Sequence, residues 1–228
     1  GAMEAERCRE WASRVLGAEK DWVADFGREQ FALGRAFYTH YETGRSALYF
    51  RDARASDARV EHHLPGMQRA VLALFERVTG QKARPRLGFC GPGVHVFPAG
   101  EKVARSGGVV HFDTEGLTPL QLERRARALS LVVMLQPPEW GGGLRLWSAP
   151  HRGRGGPAPR GGGRPCRLAG CPAAAATPSF TYRYGPGSAL LMSSYRLHQI
   201  RPFRGPRARI SVTVHAAEVD RGVWETWF

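Results

Sequence analysis

The sequence predicts an α+β fold, with a helical front segment supporting a β-rich sandwich or jelly roll. Three observations predict it. Apolar residues recur every three to four positions near the start of the chain. After Lys82 the pattern changes to short β-forming runs separated by glycine and proline. At 228 residues the chain can bury a full hydrophobic core, and no second domain is needed to account for its length.

Taken in order, Gly1 and Ala2 read as a cloning remnant ahead of a start at Met3. Residues 4–42 carry Trp11, Val15, Leu16, Trp22, Val23, Phe26, Phe31, Leu33 and Phe37 at a spacing that predicts helix with one core-facing stripe. The stretch "GRSALYFRDARASDARVEHH" breaks that pattern, and residues 47–50 read as a short strand. A further helix follows over 67–79, its face carrying Val71, Leu72, Leu74 and Phe75. His62 and His63 fall in the loop between, where adjacent side chains diverge, so they are not read as metal ligands. Residues 3–80 thus form a helical support and 81–228 the β-rich core.

The β-forming runs are "RLGFCGPG", "VHVFPAG", "GGVVHFDT", "ALSLVVMLQ", "GGLRLWS", "SFTYRYGPG", "SALLMSS" and "ARISVTVHAA". One helical insert, "TPLQLERRARA", precedes the strand that begins at Leu129. Residues 149–178 hold five arginines, no acid and little that is apolar beyond alanine, which predicts a long insert between strands. Trp147 just before it reads as a packing residue.

The formal net charge of +13 favours acidic partners: nucleic acid, an anionic substrate or an acidic protein segment. No signal-like head or apolar run of membrane-spanning length is visible, so the expectation is a soluble, intracellular protein without a membrane partner. Cys8, Cys90, Cys166 and Cys171 are too scattered for a disulfide framework and read as free thiols.

The run "VVHFDTEGL" sets His111 and Asp113 two residues apart in a predicted strand, where i and i+2 share a face. Two ligands do not close a metal site, so a third must come from elsewhere, and His95, His151, His198 and His215 are the candidates. His95 reads as an ordinary packed histidine and His151 falls in the insert. His198, in "LLMSSYRLHQIRPF", follows the end of an apolar strand, where a barrel mouth can receive it. Arg209 opens "RISVTVHA", and Ser211 and Thr213 share its face.

The set His111-x-Asp113, His198 and Arg209-x-Ser211, with "GGGLRLW" and "YGPGSALLMSSYRLHQI" in the same order, resembles the iron(II)/2-oxoglutarate-dependent oxygenases. In motif order it is similar to prolyl-hydroxylase-like members. The likeness covers residues 86–217 and implies a double-stranded β-helix (jelly-roll) core buttressed by the N-terminal helices. It implies that His111, Asp113 and His198 hold Fe(II) as the catalytic metal ligands, and that Arg209 and Ser211 bind the distal carboxylate of 2-oxoglutarate. Two imidazoles and one carboxylate leave three positions open for a bidentate 2-oxoacid and oxygen. A carboxylate at Asp113 leaves no vacancy for a halide, which favours hydroxylation over halogenation.

The implied reaction is hydroxylation of an aliphatic carbon in a peptide or small-molecule substrate, with 2-oxoglutarate and O2 converted to succinate and CO2. Ascorbate is an expected supporting reductant. Arg207 is the competing anchor for the co-substrate. Where several prolyl hydroxylases present tyrosines to 2-oxoglutarate, this chain has Phe97 and Met134, which carry no hydroxyl. AlkB-type nucleic-acid demethylases place a second arginine where this chain has His215. AlkB-like demethylation therefore ranks below hydroxylation. A non-catalytic, basic nucleic-acid-binding module on the same fold is the alternative of a different class.

Overall fold

One long strand organises the molecule. In β12 (Arg209–Asp220), residues alternate between the two faces of the sheet with period two. Ile210, Val212, Val214 and Ala216 point one way and are fully buried. Arg209, Ser211, Thr213 and His215 point the other way. Helices cover the first face, and the second, polar face is free to carry chemistry.

The computed structural model describes residues 1–150 and 178–228. Most of the arginine-rich insert, with His151, Arg152, Arg154, Cys166 and Cys171, lies outside the described residues. Along one edge β12 pairs antiparallel with β5 (Ala128–Gln136), which pairs in turn with β9 (Ala189–Ser193). Along its other edge it pairs first with β4 (Gly93–Phe97) and then with β13 (Val223–Trp227). The hairpin of β1 (Val23–Asp25) and β2 (Gln30–Leu33) extends the sheet beyond β4. Strand β3 (Lys82–Pro85) joins β13 as a parallel pair. A smaller antiparallel sheet runs in the order β10 (Arg196–Ile200), β7 (Leu144–Pro150), β8 (Ser179–Tyr182). A two-stranded ribbon joins β11 (Phe203–Arg204) to β6 (Trp140–Gly141). The result is a mixed fold of helices and largely antiparallel sheet.

The helices lie where their apolar stripes find the sheet. From α1 (Ala5–Gly17), Trp11, Ala12 and Val15 join the buried cluster formed by Val94, Val96, Leu131, Val133, Ile210, Val212 and Val214. Met67, Val71, Leu74 and Phe75 of α4 (Met67–Thr79) enter the same cluster. Each such side chain contributes roughly 1.5–3 kcal/mol. Gly80, at φ +68°, ends α4 in the left-handed conformation that glycine adopts without strain. Two short helices, α5 (Lys102–Ser106) and α6 (Pro119–Glu123), lie in the connections around the site. Thr118 and Gln121 form a reciprocal capping box at the start of α6. Among the described residues no helix is long and apolar enough to cross a membrane.

Three expectations for the front segment fail. Residues 4–42 are not helical throughout, because the chain leaves α1 and forms the β1–β2 hairpin before the short α2 (Phe37–Glu42). Phe31 and Leu33 are two apart, which is strand spacing, and pairing with β4 buries them in the sheet. Residues 47–50 are not a strand but the first turn of α3 (Ser46–His63). Its buried stripe is Tyr49, Ala53, Ser56 and Val60, a helical spacing hidden by two small residues. His62 and His63 therefore end a helix rather than occupy a loop, and His63 Nε2 lies 2.9 Å from Asp21 Oδ2. Cys8 and Cys90 are buried free thiols, and Trp147 is buried in packing.

Asp25 in β1 is 1 % exposed, and neither carboxylate oxygen has a hydrogen-bond partner among the described residues. Burial pushes its carboxyl up to about 6, despite the Arg45 guanidinium 3.7 Å away. The folded pKa lies above the unfolded one, so the folded state holds the proton longer. Stability should therefore fall as pH rises from about 4 to about 6. Asp25→Asn is expected to flatten that slope and to raise stability at neutral pH by about 1–3 kcal/mol. Urea denaturation at pH 4.5 and 7.5 checks this. A variant less stable than wild type at pH 7.5 would mean that the pairing with Arg45 outweighs the desolvation.

Candidate metal centre

The segment 109–114 is not a ladder strand. It meets β10 through one antiparallel bridge between His111 and His198, whose backbones exchange hydrogen bonds of 3.1 and 3.0 Å. The Asp113 backbone N–H donates to the Ser194 carbonyl at 3.0 Å, fixing the segment a second time. The expectation that His111 and Asp113 face the same way holds for this local reason. His198 lies inside β10 rather than at a strand exit, because a tight turn at residues 194–195 ends β9 and starts β10.

These pairings gather the three predicted residues. The ligand atoms of His111, Asp113 and His198 lie within 4.8 Å of one another. Each histidine Nε2 stands 3.5 Å from Asp113 Oδ1. His111 Nδ1 is 2.9 Å from the Val109 carbonyl, and His198 Nδ1 is 2.9 Å from the Arg196 carbonyl. A carbonyl only accepts, so each Nδ1 carries the proton and donates it. Both Nε2 lone pairs are then aimed at the point that Asp113 also faces. That tautomer, together with the carboxylate, suits a divalent metal, and two imidazoles with one carboxylate suit iron(II).

Charge supports the arrangement. Burial works against ionisation of Asp113, yet the His198, His215 and His111 imidazoles hold its carboxyl far below the usual carboxylate range. Burial brings His198 down to about 4, which keeps it neutral and able to ligate. For His111 burial is outweighed by Asp113, and its pKa rises. The side chains of Asp113 and His198 are 11 % and 5 % exposed, whereas that of His111 is 32 % exposed and opens the site to approach.

Arg209 is buried at 2 % exposure on the polar face of β12, beside Ser211. Its Nε donates to the Gly142 carbonyl at 3.1 Å and its Nη1 to Ser211 Oγ at 3.0 Å. Its guanidinium carbon sits over the rings of Phe97 (5.5 Å) and Tyr184 (5.6 Å). Among the described residues no carboxylate lies within ion-pair distance, and burial pulls its pKa down. A buried cation without a counter-ion calls for an anionic ligand. Arg207, the competing anchor, is exposed. Phe97 stands opposite Arg209 and Met134 opposite Ser211 in the strand register, and neither carries a hydroxyl.

His215, one of the four candidate third ligands, enters the site in another position, together with two serines that the sequence did not single out. His215 Nδ1 lies 3.9 Å from Asp113 Oδ2 and 3.0 Å from Ser130 Oγ, which is 3.0 Å from Ser194 Oγ. This buried chain backs the carboxylate. Position parity was the available signal, since His215 lies six residues after Arg209 on the same strand face. His95 is buried there too, opposite Ser211, and burial brings it down to about 3. It is a packed neutral histidine, as expected.

No protein-family model and no curated protein matches the chain. Solved structures do. The N-substituted L-amino acid dioxygenase from Burkholderia ambifaria AMMD is similar at a TM-score of 0.57 and 17% identity, covering 96% of this chain and 82% of that one. The epimerase SnoN, in complex with Fe3+, alpha ketoglutarate and nogalamycin RO, is similar at 0.54 and 15% identity, covering 96% and 79%. AviO1 from Streptomyces viridochromogenes Tue57 is similar at 0.52 and 11% identity, covering 94% and 84%. The chain thus carries a possible His-Asp-His metal site on a fold shared with non-haem, 2-oxoglutarate-dependent enzymes.

Proposed function

We propose that the chain is an iron(II)- and 2-oxoglutarate-dependent dioxygenase that hydroxylates an aliphatic carbon of a small-molecule or peptide substrate. One observation carries the reading: two histidines and a carboxylate converge in the same interior as a buried arginine that has no counter-ion among the described residues. The division of the large sheet into a helix-covered apolar face and a polar face, with a smaller sheet bearing His198, supports a double-stranded β-helix.

His111, Asp113 and His198 would hold the metal from one side. Arg209 and the free hydroxyl proton of Ser211 would take the distal carboxylate of 2-oxoglutarate, the guanidinium offering a planar fork of donors. When bound, iron(II), 2-oxoglutarate and O2 supply the oxidising power, with succinate and CO2 as the products of the co-substrate. The His215, Ser130 and Ser194 chain lines the site behind Asp113, with His215 Nδ1 3.9 Å from its carboxylate. No side-chain nucleophile is needed. Of the three similar structures described above, the two whose names state an activity are an amino-acid dioxygenase and an epimerase, which favours a small molecule over a protein substrate.

With iron(II), 2-oxoglutarate, ascorbate and O2, the purified chain should release succinate. Incubation with peptide, nucleoside and metabolite pools should yield one species heavier by a single oxygen atom in the mass spectrum. Absence of succinate from metal-loaded protein would end the enzymatic reading. Salt-sensitive binding of nucleic acid alone would then favour a basic binding module.

A further inference from the structure

Tyr184 stands in the "YRYGPGS" turn between β8 and β9, and its ring packs edge-on against Tyr182 at 4.9 Å. The Tyr182 hydroxyl has a partner, donating to the Ala189 carbonyl at 3.2 Å. The Tyr184 hydroxyl is buried with no hydrogen-bond partner among the described residues. Buried phenols normally find one, so an unpaired hydroxyl here points to a missing ligand. Arg209 lies over the same ring at 5.6 Å. Burial pushes the phenol pKa up, Arg209 pulls it down and Asp113 pushes it up again, so the group feels both the arginine and the candidate metal site. It keeps its proton and can serve as a donor.

We infer that Tyr184 donates its hydroxyl proton to the distal carboxylate of 2-oxoglutarate, alongside Arg209 and Ser211. The inference rests on the function proposed above and assigns the hydroxyl that Phe97 and Met134 lack. The donor comes from the turn entering β9, a part of the chain remote from both. Three donors at the inner end of the site would then require a second carboxylate on the co-substrate and disfavour 2-oxoacids without one.

Tyr184→Phe tests this, since it removes the hydroxyl and leaves the ring packing. Calorimetric titration of the Mn(II)-loaded protein, without oxygen, should show 2-oxoglutarate binding weakened about tenfold, the size of one charge-assisted hydrogen bond. Oxalate, which chelates metal but has no distal carboxylate, should bind both proteins equally. The ligand-free variant should melt no lower than wild type, because no protein partner is lost. Unchanged 2-oxoglutarate affinity, an equal loss for oxalate, or a lowered melting point would each overturn the inference alone. Wild-type protein that binds Mn(II) but not 2-oxoglutarate would overturn the proposed function and this inference together.

Discussion

His111→Ala is expected to abolish iron(II) uptake and succinate release while leaving the fold intact. Outer hydrogen-bond partners of metal ligands typically cost 10–100-fold on removal, and loss of a ligand itself should exceed that. His111 is the member of the trio best suited to the test. Its side chain is the most exposed of the three, and its Nδ1 contact is to a carbonyl only two residues away. The backbone bonds that tie residue 111 to His198 do not involve the side chain and survive the change. The melting temperature should therefore stay close to wild type, whereas His198→Ala would also empty a buried site. Metal titration followed by a succinate assay reads both effects. Wild-type iron affinity and turnover in His111→Ala would remove the metal centre from the account.

Arg209→Met should separate ligand binding from stability in an uncommon way. A buried guanidinium with no carboxylate partner among the described residues is costly, and replacing buried charge by an apolar side chain of similar volume is often neutral or stabilising. The variant gives up the hydrogen bonds to the Gly142 carbonyl and to Ser211 Oγ, which offsets part of that gain. Without ligand its stability should lie within about 1 kcal/mol of wild type. Affinity for 2-oxoglutarate should fall by about 2–5 kcal/mol, the usual cost of deleting one member of a buried charge pair. The ligand-induced rise in melting temperature should vanish with it. Thermal melts with and without 2-oxoglutarate, in the presence of Mn(II), check both halves. Arg209→Met protein that still gains stability from 2-oxoglutarate would show that the anion binds elsewhere.

Legibility differed between the site and the frame that holds it. His111, Asp113, His198 and Arg209 could be chosen because each stands in a β-forming run with telling neighbours. Position parity alone said which residues shared a face. The β1–β2 hairpin could not be read, since Phe31 and Leu33 also fit a helical stripe and only β4 makes the strand favourable. Helix α3 escaped notice because its buried stripe contains Ala53 and Ser56, which carry little hydrophobic signal. Tyr184 fell in the run "SFTYRYGPG" with no role assigned, and nothing local says that its hydroxyl lies buried beside Arg209.

By itself the amino-acid order determined alternation within strands, the ends of helices at residues such as Gly80, and the chemical kinds of side chain available. Those are short-range properties set by backbone sterics and by period. Tertiary structure alone decided that segments far apart in the chain meet at the His111–His198 bridge, that Arg209 is buried with no carboxylate partner among the described residues, and that His215 lies behind Asp113. Each depends on strand pairings between distant runs, whose free energy comes from burying the apolar face against the helices.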